Sequence, residues 1–130
     1  MELKDTIKML FYKWRIARRS ITRMINIEFN PNTFTLDIKG HAGHGEKGED
    51  IVCSAISILF YTLAETLDSS KHMLTEEIDF NDEDGNGHIS CVPKEEYEAN
   101  ISLIYWTILK GLEIVANHYE ENVKLSVLGV

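Results

Sequence analysis

The sequence predicts an α+β fold in two layers: a sheet built in the chain order β-β-α-β-β-α-β and covered by two helices, with an extra N-terminal amphipathic helix in front. Three observations carry that prediction. Short segments in which apolar and polar residues alternate recur along the chain, the spacing of half-buried strands. Two longer segments repeat apolar residues every three or four positions, the spacing of a helix with one buried stripe. Both kinds interleave within 130 residues, which suits one domain with one core.

The first element is the added one. Leu3, Ile7, Leu10, Phe11, Trp14, Ala17 and Ile21 recur at helical spacing and predict an amphipathic helix. The segment carries Lys4, Lys8, Lys13, Arg15, Arg18, Arg19 and Arg23 against Glu2 and Asp5, so seven cations less two carboxylates give +5. The whole chain is at −8, which leaves −13 on the remainder. Residues 1–23 therefore read as a basic extension on an acidic domain, residues 24–130. Such a helix either docks on the acidic body or serves as a basic arm for RNA, a membrane surface or a partner protein.

From Met24 the pattern sharpens. Ile25, Ile27 and Phe29 alternate with Asn26 and Glu28 and predict a strand. Asn30-Pro31-Asn32 is a turn, and Phe34, Leu36 and Ile38 predict a second strand that ends at Gly40 and His41, closing a hairpin. A glycine-rich loop leads to a helix from about Ile51 to Leu67. Two short strands are expected around Glu77 to Phe80 and His88 to Val92. Tyr97, Ile101, Ile104, Tyr105, Ile108, Leu112 and Val115 mark the second long helix, and Val123, Leu125 and Val127 the last strand. One antiparallel or mixed sheet accommodates this order.

Composition narrows the class. A chain 44% hydrophobic and 26% charged has the makeup of an ordinary soluble domain. Two cysteines, Cys53 and Cys91, make no disulfide framework, and neither a signal peptide nor an apolar run of about 18 residues stands out. The expectation is a reduced, cytoplasmic protein without a membrane partner. A net charge of −8 argues against binding nucleic acid at large.

The chemistry concentrates in "GHAGHGEKGEDIVCSAISILFYTL", residues 40–63. Asp50 stands just before the first apolar helical residue, where its carboxylate can accept from first-turn N–H groups as an N-cap. Counting from that cap, Cys53 is the third helical residue, where the positive helix end favours a thiolate and a lowered thiol pKa. His41 ends a strand, and Gly43, Gly45 and Gly48 allow the intervening loop to fold back toward the cysteine. Imidazole and thiol would then form a nucleophile–base pair. Ser57 is one turn beyond Cys53 on the same face, placed to orient that pair or to contact substrate.

Gly40-His41-Ala42-Gly43, Gly45, Gly48 and Asp50-Ile51-Val52-Cys53, with Ala55 and Ser57 after them, resemble the signature of the ribosomal-processing cysteine protease family, Prp. The likeness extends over about residues 24–127: Gly111-Leu112 through Tyr119, then Val123-Lys124-Leu125, look like that family's last helix and strand. The resemblance implies a homodimeric, cofactor-free protease that removes an N-terminal extension from a large-subunit ribosomal protein. It makes His41 the base and Cys53 the nucleophile, matches Asp50 and Ser57 to supporting positions, and assigns Gly40, Gly43, Gly45 and Gly48 to a flexible loop. Ser54 stands where family members commonly have alanine, and His44 where an aromatic is usual. The extension before Met24 is also untypical. It implies either an upstream start codon or a specialised, phage-type member that processes a capsid or scaffold protein.

Three other chemistries compete. His41, His44 and Cys53, or His88 with Cys91, have the donor types of a zinc site. Asp82-Glu83-Asp84-Gly85-Asn86-Gly87-His88-Ile89 copies the opening of a calcium-binding EF-hand loop, but position twelve falls on Pro93 and the Asp-Gly pair is a hairpin signal. A non-catalytic interaction module is the third.

Overall fold

The computed structural model describes residues 24–40, 51–83 and 85–129. Among them run β1 (Ile25–Asn30), β2 (Thr35–Lys39), α1 (Ile51–Ser69), β3 (Asp79–Glu83), β4 (Asn86–Ser90), α2 (Glu98–His118) and β5 (Val123–Val127). The strands form one sheet in the order β3-β4-β2-β1-β5. β2 is antiparallel to both β1 and β4, and β3 is antiparallel to β4, whereas β1 and β5 are parallel. The sheet is thus mixed, because α2 carries the chain from β4 across the sheet to an edge beside β1. β2 and β3 run in the same direction, so α1, which joins them, returns antiparallel to both.

Alternation decides which face is covered. Ile25, Ile27 and Phe29 of β1, Leu36 and Ile38 of β2 and Ile89 of β4 are buried, while Asn26 and Glu28 are exposed. α1 buries Val52, Cys53, Ile56, Phe60, Leu63 and Leu67, and α2 buries Ile101, Tyr105, Ile108, Leu109, Leu112 and Val115. All of these belong to one core, so both helices lie on the same face of the sheet. At about 1.5–3 kcal/mol for each large apolar side chain removed from water, this layer is the main stabilising term. Phe29 marks its centre, stacked on Tyr105 at 5.6 Å and met edge-on by Trp106 at 5.2 Å. The opposite face is polar, with Glu28, Asp37, His88 and Asn81 side by side across four strands.

Several boundaries differ from those the sequence predicts. β2 starts at Thr35 rather than Phe34, because Phe34 takes φ +49° in the turn, while its ring still packs 5.7 Å from Tyr105. β3 and β4 lie closer together in sequence than expected, at 79–83 and 86–90, because a two-residue tip joins them. Gly85 supplies that tip with φ +76°. The helices run a few residues past their predicted ends. Two segments, Ile51–Ser69 and Glu95–His118, are also long and apolar enough on average to cross a membrane, which the sequence reading did not anticipate. Their apolar residues form stripes against the sheet, as core helices require. The expected N-terminal helix lies outside the described residues.

Candidate active site

β2 ends at Gly40, and its geometry fixes where the glycine-rich loop departs. Gly40 has φ +80°, and a Cβ there would stand 2.6 Å from the Met24 carbonyl oxygen. Only glycine fits that conformation and that contact without strain. Its N–H donates to Asn86 Oδ1 at 3.2 Å, tying the end of β2 to the tip of the β3–β4 hairpin. Because α1 runs opposite to β2, its N-terminus returns to this same end of the sheet.

Cys53 is the third residue of α1, as its distance from Asp50 predicts. It is 6% exposed and packs within the core cluster beside Val52 and Ile56. Ser57 follows one turn later and is half-buried. Among the candidate residues, the structure therefore places Gly40, Cys53 and Ser57 at one end of the sheet. His41, Gly43, His44, Gly45, Gly48 and Asp50 lie outside the described residues.

Beside Ser57 opens a small pocket, continuous with solvent. Ser57, Phe60 and Tyr61 from α1 face Asp82, Gly85 and Gly87 from the hairpin across it. Gly87 has no Cβ to give up, since one would lie 2.9 Å from the Phe60 ring. Tyr61 Oη donates a hydrogen bond to Asp82 Oδ2, which fastens the hairpin to α1. Sequence reading missed this pocket. Its one signal was the spacing of Ser57 and Tyr61, four residues apart on a helix that starts at the cysteine.

The second cysteine has a different environment. Cys91 is 5% exposed, and Tyr105 Oη donates to its Sγ at 3.7 Å. Burial pushes its thiol above the ordinary value, and the hydrogen bond offsets only part of that rise. Tyr105 is raised as well, first by burial and then by the neighbouring sulfur. A thiol held protonated in this way is a poor nucleophile.

The rival sites fare unequally. His88 is on the polar face, with Nδ1 2.6 Å from Asp37 Oδ1 and Nε2 3.4 Å from Asp79 Oδ2. Cys91 points into the core on the other side, so the suggested zinc pair is divided by the sheet. No cluster of three metal-ligating side chains occurs among the described residues. The EF-hand-like segment is a β-hairpin in which Glu83 pairs with Asn86, not a loop between helices.

Comparison with known proteins bears on the chemistry. The sequence profile of a family described as cysteine protease Prp matches residues 24–124. The ribosomal processing cysteine protease Prp of Staphylococcus aureus is 31% identical over 87 residues, spanning 67% of this chain and 79% of that protein. Two crystal structures of Prp from S. aureus share the fold. The one in complex with a covalently linked product peptide has TM-score 0.63 and 30% identity, over 80% of this chain and 99% of the other. The one in complex with a substrate peptide has TM-score 0.60 and 28% identity, over 80% and 97%.

Proposed function

The chain belongs to the cysteine protease Prp family, and we propose that Cys53 is the nucleophile of its reaction and His41 the base. It is a cysteine protease by that membership; the assignment of roles is ours. One observation carries the assignment: Cys53 occupies the first turn of α1, at the sheet end where Gly40 launches the loop containing His41, with an open pocket one turn away beside Ser57.

The chemistry follows from those positions. His41 takes the Cys53 proton, and the thiolate attacks the scissile carbonyl carbon to give a tetrahedral oxyanion. The positive N-terminal end of α1 stabilises that charge through its backbone N–H dipoles. The oxyanion collapses to a thioester as the C–N bond breaks, and the imidazolium gives its proton to the leaving amine. Water, deprotonated by His41, then hydrolyses the thioester and returns the thiol. Ser57 supports the substrate beside the nucleophile.

For the substrate we propose the N-terminal extension of a large-subunit ribosomal protein. Support comes from the relatives, named for ribosomal processing, and from the S. aureus structures with bound peptides. The test is incubation with an N-terminally extended large-subunit protein, followed by mass spectrometry of the fragments. Release of the extension as one peptide is expected. An untouched substrate, or cuts within its folded body, would contradict the proposal.

A further inference from the structure

Some exposed apolar residues of the described chain form a patch. The Tyr61 and Phe80 rings lie 6.3 Å apart, and Phe80 stacks on the buried Phe60 ring at 5.5 Å. Ile58, three residues before Tyr61 on α1, is 63% exposed, and Tyr61 and Phe80 are 42% and 40% exposed. Carboxylates border this surface. Asp82 accepts from Tyr61, and Glu65 lies four residues past Tyr61 on α1. β3 is an edge strand, and all five of its residues are exposed. An apolar patch with an acidic border fits an amphipathic segment with a cationic border.

Residues 1–23 of this chain have that composition: an apolar stripe at helical spacing and a net charge of +5, from seven cations and two carboxylates. Their point of attachment is also suitable. The Met24 carbonyl lies against Gly40, the Gly40 N–H bonds to Asn86, and Asn86 pairs with Glu83 on β3. From β1 to β3 is three strand spacings, or about 14 Å. Five extended residues span about 17 Å, and the remaining eighteen as a helix about 27 Å. The extension therefore reaches the patch with length to spare.

We propose that residues 1–23 dock on the Ile58–Tyr61–Phe80 patch of their own chain, their cations against Asp82 and Glu65. Tyr61 and Asp82 also line the pocket beside Ser57, so the patch adjoins it. The occupant lies outside the family match, which begins at residue 24.

The test is zero-length carbodiimide coupling of the full-length Cys53→Ala chain, mixed from unlabelled and isotope-labelled copies and mapped by mass spectrometry. The readout needs no turnover, so it is independent of the proposed chemistry. Amide links from Lys4, Lys8 or Lys13 to Glu65 or Asp82 within one copy are expected. Their yield should fall by about fivefold or more, a loss of about 1 kcal/mol in docking, when Trp14→Asp or Ile58→Asp is added. Links to other carboxylates, no links from the extension, links solely between differently labelled copies, or undiminished yield in both variants would each overturn the proposal.

Discussion

Tyr105 donates its hydroxyl proton to Cys91 at 3.7 Å inside the core, whereas Cys53 stands in the first turn of a helix. The two thiols should therefore differ in reactivity. Burial raises the Cys91 thiol above its ordinary value, so at neutral pH less of it is thiolate than in an open peptide. Iodoacetamide at neutral pH should modify Cys53 at least about tenfold faster than Cys91, as read by peptide mass mapping. Cys91→Ser should keep most of the activity. Selective loss there would mean that the wrong cysteine has been assigned.

The same raised thiol bears on alkaline stability. A group whose folded pKa is raised contributes stability that is present below its unfolded value and lost as pH rises through the folded one. Cys91 and Tyr105 are both raised, so both act in this direction. The urea midpoint should therefore fall as pH rises above the ordinary thiol range. A midpoint unchanged across that window would show that these groups titrate alike in the folded and unfolded chain.

Two glycines mark close approaches. Gly87→Ala would press a methyl against the Phe60 ring, 2.9 Å away and held by its stack on Phe80. It should cost about 1–3 kcal/mol in urea unfolding and constrict the pocket. Gly40→Ala meets the Met24 carbonyl and an unfavourable φ together, and should cost about 2 kcal/mol or more. If both variants unfold like the parent, the packing described at this end of the sheet is wrong.

These contacts also show what the sequence could disclose. β1, β2 and β5 were legible because one side of each faces the core and the other does not, so Ile25, Ile27 and Phe29 alternate with polar neighbours. The bounds of β3 were not, because Asp79-Phe80-Asn81-Asp82-Glu83 is an edge strand exposed on both faces and burial imposes no alternation on it. Its position comes from the turn at Gly85 instead. Cys53 and Gly40 could be found because a helix cap and a left-handed turn leave local residue signals. The pocket could not, since it forms where Tyr61 meets Asp82 across 21 residues of chain. His88 and Cys91 looked like ligands of one metal until the sheet put them on opposite sides.

The histidines separate general-base catalysis from metal binding. His41→Ala should reduce turnover by roughly 100-fold or more, as loss of a general base does. His44→Tyr, which moves toward the family pattern, should change turnover far less. Equal damage from both, together with zinc in the purified protein, would favour a metal site instead. Steady-state cleavage of an extended peptide and metal analysis of the same preparations provide both readouts.

The central claim is a covalent bond between Cys53 and the substrate's acyl fragment. The most direct measurement is the intact mass of the protein, quenched in acid during turnover of an N-terminally extended ribosomal peptide, followed by mapping of the modified residue. The account predicts a thioester adduct with the mass of the released N-terminal fragment less one water, on the peptide containing Cys53. It also predicts neither adduct nor cleavage in a folded Cys53→Ala chain. Cleavage that persists in Cys53→Ala, or an adduct on Cys91, would contradict it.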